Sequence, residues 1–402
     1  MIGLFAFTTL ALEVARLSNG IPVILERRPS AETIAFCAML RTDDLTVEET
    51  AWLEQIVASW YGGTEALTLT RLRNLAAQTG GRLTIQSTPD RLIFAAEAPK
   101  ESFHLIVSVL SELWLHPDLR EQAVVRGSAE REKVELFPDL PLERRLNGLA
   151  AKLGWRALTL PRSTDSTLQA AYARAFQPDR VAFALVGDIR SDEAVDRLNR
   201  SFGFWQNRAG SKPRAPGRRA IPREAVDAPF AGVRLVGPSV TSEDLVPFMI
   251  AVAALLEGKG SILGRRLRYE RAESYQFGTM ESVRQGRLEV ILYASFDEAG
   301  DPDRTLNRNR VREAVEAMTE ADVRRAKSLL ASQLRFGRSL SLFGRSLPRG
   351  QREAADVAYW LCWWQLFGGS LDRAAHLLEQ IDAVTLVQVR QAALSALEGD
   401  SD

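Results

Sequence analysis

From residue 207 to 229 the chain runs Asn-Arg-Ala-Gly-Ser-Lys-Pro-Arg-Ala-Pro-Gly-Arg-Arg and onward, rich in Pro, Gly and basic residues. Such a stretch lacks the apolar groups needed to offset the entropy of ordering, so it reads as a linker. It divides the 402 residues into a first part over 1–206 and a second over 230–402, each long enough to bury its own core. A basic run can also hold phosphate or an acidic partner, but no aromatic residues interleave here for base stacking. Over the whole chain 51 Lys+Arg balance 51 Asp+Glu, which argues against a protein built to grip nucleic acid or an anionic membrane.

Both parts mix strand and helix signals. Leu12 to Leu17 and Ile21 to Glu26 flank the turn Ser18-Asn19-Gly20, a hairpin signature, and Thr33 to Leu40 follows as a buried strand. Thr46-Val47-Glu48-Glu49 is a capping box, with Trp52, Leu53, Ile56, Val57 and Trp60 at helical spacing behind it and Gly62-Gly63 as the stop. Further helices are expected at 70–79, 103–115, 121–137, 141–155, 168–176 and 192–202, and strands at 82–87, 91–97 and 181–186. In the second part, strands are expected at 233–236 and 288–294, and helices at 245–256, 262–271, 319–336, 354–367 and 383–397. The fold class is therefore α+β: two similar halves, each a mostly antiparallel sheet covered by helices on one side.

Composition narrows the chemistry. Cys37 and Cys362 are too few for a disulfide scaffold or a Cys-rich zinc module. His104, His116 and His376 are the only histidines, and no two lie close enough in sequence for a paired-His metal motif. No order of Ser, His and Asp points to a triad. Met1 to Leu12 is apolar but short, has no basic region before it, and reads as a first strand rather than a leader. The longest later apolar stretch, Ala358 to Phe367, is too short to span a bilayer, so a cytoplasmic, soluble protein with no membrane partner is expected. Tyr359-Trp360-Leu361-Cys362-Trp363-Trp364 reads either as the lining of a cavity for apolar side chains or as a helix packed on both sides.

Several segments taken in order resemble the pitrilysin/insulinase family of inverzincin peptidases. They are Leu17-Ser18-Asn19-Gly20-Ile21-Pro22-Val23, Tyr61-Gly62-Gly63-Thr64 and Pro161-Arg162-Ser163-Thr164-Asp165-Ser166. They continue with Tyr172 to Phe176, Gln177-Pro178-Asp179-Arg180 and Val186-Gly187-Asp188. In the second part Gly258-Lys259-Gly260-Ser261-Ile262-Leu263 leads to Leu267-Arg268 and then Tyr275, similar to the family's Arg/Tyr segment. The resemblance spans about residues 12–397, and the two-repeat length is similar to the short bacterial branch, whose members act as dimers.

The departures are as informative. Active members carry H-x-x-E-H on the first long helix, where two His on one face hold zinc and the Glu is the base. Aligned on Gly63-Thr64, the corresponding positions hold Glu54, Gln55, Ile56, Val57 and Ala58, so Glu54 and Ala58 stand for the histidines and Val57 for the base. The third ligand position falls near Glu130, Glu132 or Glu135. A lone carboxylate holds zinc poorly at neutral pH, so no intrinsic zinc site is expected in this chain. Arg268 and Tyr275 keep the family's seven-residue spacing, and the resemblance implies that they donate hydrogen bonds to a substrate carbonyl and its developing oxyanion. Arg265, Arg266 and Tyr269 lie in the same stretch, which also reads as a basic helix face.

Gly258, Gly260 and Ser261 lack the Walker spacing and read as a Gly-rich edge that a substrate backbone can approach. The expected function is a zinc-less subunit of a heterodimeric metallopeptidase, acting on a peptide at zinc held by a homologous partner. The alternative is a non-enzymatic peptide-binding or structural scaffold derived from the same fold.

Overall fold

The computed structural model describes residues 12–133, 141–155, 162–207, 230–295, 305–335 and 353–399. The start of the expected first strand, most of the linker, Phe137, Pro161 and Phe336 lie outside these residues. The architecture is α+β, and the chain divides into two compact units. Unit 1 comprises Met1–Pro138, Leu160–Ala215 and Ala354–Leu366; unit 2 comprises Asp139–Thr159, Pro216–Glu353 and Phe367–Asp402.

Unit 1 is built on strands β1 (Leu12–Arg16), β2 (Pro22–Arg27), β3 (Thr33–Arg41), β4 (Arg82–Ser87), β5 (Arg91–Pro99) and β6 (Val181–Gly187). They form one sheet in the order β1-β2-β6-β3-β5-β4, with β2 and β6 parallel and every other pair antiparallel. Helix α1 (Val47–Ser59) starts at the anticipated box: Glu49 N–H donates to Thr46 Oγ1 at 3.1 Å and Thr46 N–H to Glu49 Oε2 at 2.8 Å. Helices α2 (Leu69–Gln78), α3 (Phe103–Leu115) and α4 (Glu121–Lys133) follow. The apolar stripe Phe103, Ile106, Val107, Leu110, Leu113 and Trp114 of α3 joins Ile34, Phe36, Ala38 and Leu40 of β3 in one core, as the 3.6 and 2 periodicities dictate.

The alternate residues of β3, Ala35, Cys37 and Met39, are buried as well. They are backed by a helix from far along the chain, Glu353–Leu366. The Cys362 thiol donates to the carbonyls of Cys37 and Ala182, both at 3.4 Å. Arg41 Nη1 donates to Leu366 O at 3.3 Å, and the Arg91 guanidinium lies 5.7 Å from the Tyr359 ring centre. The aromatic run is thus a packed helix. Both cysteines are free and buried, and burial pushes the Cys362 thiol well above its ordinary pKa.

Chain order continues with α5 (Pro141–Lys152) in unit 2, then α6 (Asp165–Ala175) and α7 (Ser191–Phe202) in unit 1. Unit 2 carries a three-stranded antiparallel sheet, β7-β9-β8, made of β7 (Phe230–Ser239), β8 (Phe277–Arg284) and β9 (Arg287–Ser295). Gln285 and Gly286, with φ of 53° and 72°, make the two-residue turn between β8 and β9 that suits strand twist. Helix α8 (Leu245–Leu256) is buried at every position, as a helix apolar all round must be.

Short helix α9 (Ile262–Arg265) is followed by α10 (Arg308–Glu316), α11 (Glu320–Arg335) and α12, the Glu353–Leu366 helix already described. The chain closes with α13 (Leu371–Ala375), α14 (Leu377–Ala383) and α15 (Leu386–Glu398). Trp155, just past α5, donates its indole N–H to Glu289 Oε2 at 2.8 Å, and Arg234 Nη2 donates to Glu289 Oε1 at 3.0 Å. These bonds tie the α5 segment to the sheet of unit 2.

Tyr293 of β9 packs edge-on to Phe230, and its cross-strand partner Gly278 has no Cβ to meet the ring. Burial, and secondarily the charge of Glu257, push the Tyr293 phenol from 10.0 up to about 12. Folding favours the neutral phenol, so this contribution is complete below pH 10 and is lost as pH rises towards 12. Thermal melts across that window are expected to fall less steeply for Tyr293→Phe than for the parent chain.

Candidate functional site

The Gly-rich segment and the Arg/Tyr segment form one continuous stretch of unit 2. Arg325 of α11 donates from Nη2 to Ala253 O at 2.7 Å and from Nη1 to Glu257 O at 3.1 Å, capping α8 where this stretch begins. Gly258 has φ +75°, a conformation that glycine adopts at little cost, and a Cβ there would meet nothing within 4 Å. Gly258 and Gly260 are exposed. Ser261 is buried and its hydroxyl is engaged twice: it donates to Gly258 O at 2.7 Å and accepts from Gly264 N–H at 3.2 Å, closing the turn and capping α9. Ser261→Ala is expected to cost about 1 kcal/mol of stability, read by denaturant unfolding.

Arg265 joins this turn to α11, donating to Gly260 O at 2.6 Å and to Asp322 Oδ1 at 3.0 Å. Burial alone would raise the Asp322 pKa, but hydrogen bonds from Thr319 and Arg265 outweigh it and hold the carboxyl below its usual range.

Residues 262–271 were expected to form one helix. The structure instead has α9 for one turn and then a π-helical turn, Arg266–Glu270, closed by Arg271 N–H to Arg266 O at 3.1 Å. Ala272 follows at φ +53°, a left-handed conformation unusual for a residue with a Cβ. Wide turns and strained backbone concentrate at functional sites. Here they place Arg268 with its guanidinium 5.8 Å from the Tyr269 ring centre and 5.5 Å from that of Tyr275.

Among the described residues the Arg268 guanidinium makes no hydrogen bond or ion pair, and the Tyr275 hydroxyl has no partner either. Tyr275 is 67% exposed. The site therefore holds a cation positioned by two aromatic faces, with its donors and a phenol hydroxyl open to a ligand. Two residues on, β8 begins; among the described residues it pairs only with β9.

The positions that stand for the zinc motif are on α1, as expected. Val57 and Ala58 are buried and Glu54 is half-buried. α4 packs directly on this turn: a Cβ on Gly127 would lie 2.8 Å from the Ala58 carbonyl carbon and 3.0 Å from Ser59 Cα. Glu130 is half-buried on α4, the Glu132 side chain is not described, and Glu135 lies outside the described residues. Two alkyl groups and one carboxylate do not fit a zinc ion. Among the described residues no three of His, Cys, Asp or Glu group as metal ligands do.

The seven-residue spacing, read within the family resemblance, singles out Arg268 and Tyr275 but not Tyr269 as the second face of the cation site. Nor does it announce the π turn, which shows only in the backbone. Among the described residues no helix is long and apolar enough to cross a membrane.

Residues 164–330, from the cap of α6 into α11, match the family model described as "Peptidase M16 inactive domain". Among solved structures, a protease from Helicobacter pylori is 13% identical, with 95% of each chain covered and a TM-score of 0.71. A peptidase M16 inactive domain from Pseudomonas fluorescens is 14% identical, covering 95% of this chain and 94% of that one at a TM-score of 0.68. At such identities the likeness is one of fold. No curated protein matches the chain.

Proposed function

We infer, from a chain whose residues 164–330 match the family model of the peptidase M16 inactive domain, that this protein is the metal-free half of a two-chain peptidase. Zinc, its ligands and the general base are assigned to a homologous partner, because Glu54, Val57 and Ala58 offer none of them. This chain binds and orients the peptide. The observation that carries the reading is the Arg268 guanidinium, held against Tyr275 with no competing bond among the described residues.

The exposed backbone at Gly258 and Gly260 supports a peptide lying extended against this stretch. Arg268 and Tyr275 then donate hydrogen bonds to its carbonyl oxygen, and these strengthen as negative charge develops there.

The test is reconstitution with a zinc-bearing homologous chain and an assay on fluorogenic peptides. Hydrolysis is expected from the pair and from neither chain alone. Activity of the purified single chain with stoichiometric zinc refutes the reading. Undiminished activity of a pair carrying Arg268→Ala and Tyr275→Phe would make this chain a scaffold instead.

A further inference from the structure

A small pocket is lined in part by Leu263, Arg266, Leu267 and Arg271, from the same stretch that carries Arg268. Leu263 and Leu267, both buried, form its apolar floor, and three guanidiniums, those of Arg266, Arg271 and Arg310, reach its lining. They are unequally committed. Arg310 Nη1 donates to Glu273 Oε2 at 2.7 Å and to Thr305 O at 2.8 Å, and Nη2 donates to Glu273 Oε1 at 3.4 Å. Arg271 reaches the same carboxylate only at 3.9 Å. Arg266 makes no hydrogen bond or ion pair among the described residues. Against these three cations stand Glu273, already engaged by Arg310, and Glu313, exposed on α10.

We propose that this pocket is a carboxylate subsite: it takes an acidic side chain or the terminal carboxylate of the peptide whose backbone Arg268 and Tyr275 orient. The proposal rests on the peptide-binding reading above and names the substrate class it leaves open. Three features carry it. Arg266 supplies a planar fork of donors with no competing bond among the described residues, the geometry that matches a carboxylate. The leucine floor suits the aliphatic stem of a glutamate. Glu273 draws Arg310 into position from a separate helix, leaving a net positive lining. Glu313 opposes binding through like charge and so sets how strongly the pocket discriminates.

The test measures equilibrium binding, so it does not depend on hydrolysis or on a partner. Three fluorescein-labelled, unstructured decapeptides are titrated into the purified full chain. One carries a single Gln and an amidated end, the second a Glu in place of the Gln, and the third the Gln with a free C-terminal carboxylate. The parent chain is expected to bind at least one carboxylate peptide about ten-fold more tightly than the neutral one, the size of a charge-assisted hydrogen bond. The arm that tightens identifies the source of the carboxylate.

Arg266→Gln should abolish the ratio, and Glu313→Gln should widen it. Arg268→Gln should weaken all three peptides alike and leave the ratio unchanged. A preserved ratio beside an ineffective Arg268→Gln would therefore sink the orientation role and spare the pocket. Equal binding of the three peptides by the parent chain, no binding of any, or a ratio that survives Arg266→Gln in a chain whose melt is unchanged overturns the subsite.

Discussion

Alanine at position 127 is expected to destabilise unit 1 by about 3 kcal/mol or more, although alanine is the better helix former by roughly 1 kcal/mol. Gly127 lies in α4 against the last turn of α1, and its missing Cβ is what lets the two backbones meet. An added methyl would press into the Ala58 carbonyl oxygen and stand 3.0 Å from Ser59 Cα. None of these is a side-chain atom that can rotate away, so the helices must part. Gly62 closes the same junction, where a Cβ would lie 3.0 Å from Ala123 O.

Out of a total stability of about 5–15 kcal/mol, a loss of this size removes a large share. Urea unfolding of Gly127→Ala beside Gly260→Ala measures it, because a Cβ at Gly260 meets only Arg325 Cδ, at an ordinary 3.5 Å. Equal midpoints for the two variants would mean that the α1–α4 approach is looser than described.

Arg268→Ala is expected to lower peptide hydrolysis by the reconstituted pair about 10²–10³-fold, with most of the loss in kcat. A donor that meets an oxyanion strengthens as charge appears, so its removal costs the transition state more than the bound substrate. Arg268 suits this role because, among the described residues, no carboxylate holds it and the Tyr269 and Tyr275 faces flank it. Two further variants separate positioning from donation. Tyr275→Phe keeps the ring against the guanidinium and removes the hydroxyl, so a loss of about ten-fold reports the phenol's own hydrogen bond. Tyr269→Phe keeps a ring on the other side and is expected to change little. Full activity in Tyr275→Phe would leave Arg268 as the sole donor.

Local signals were legible. Thr46 and Glu49 are three residues apart and meet within one turn, so the start of α1 could be read directly from the chain. The same holds for Ser18-Asn19-Gly20 between β1 and β2. Four of the numbered elements escaped the pattern: β8, α10 and the short helices α13 and α14. β8 contains Gly278 and polar residues that blur its alternation, and α10 buries only Val311, Ala314 and Val315 along a highly charged face.

The candidate site divides in the same way. Arg268 and Tyr275 stand out once the resemblance supplies a frame. The subsite does not, because Arg310 reaches it from a helix some forty residues further on. Ser261 reads in sequence as part of a substrate edge, whereas its hydroxyl is already occupied in closing the turn. Periodicity also cannot say which sheet a helix covers: Pro141–Lys152 and Glu353–Leu366 are plain as helices, but each joins a sheet remote from its neighbours in sequence.

That last arrangement bears on how the chain is made. On a ribosome, all six strands of the first sheet have emerged once Gly187 is out, but the helix that backs Cys37 and Ala182 has not been synthesised until Leu366. At about 5–20 residues per second that interval lasts roughly 10–40 s. Throughout it, one face of the nascent sheet, with Ala35, Cys37 and Met39 along its middle strand, faces solvent without its cover. A nascent chain with an uncovered apolar face is a substrate for holding chaperones, and a product that stops before residue 353 keeps that face for its lifetime. The last third of the gene therefore governs whether the first third stays soluble.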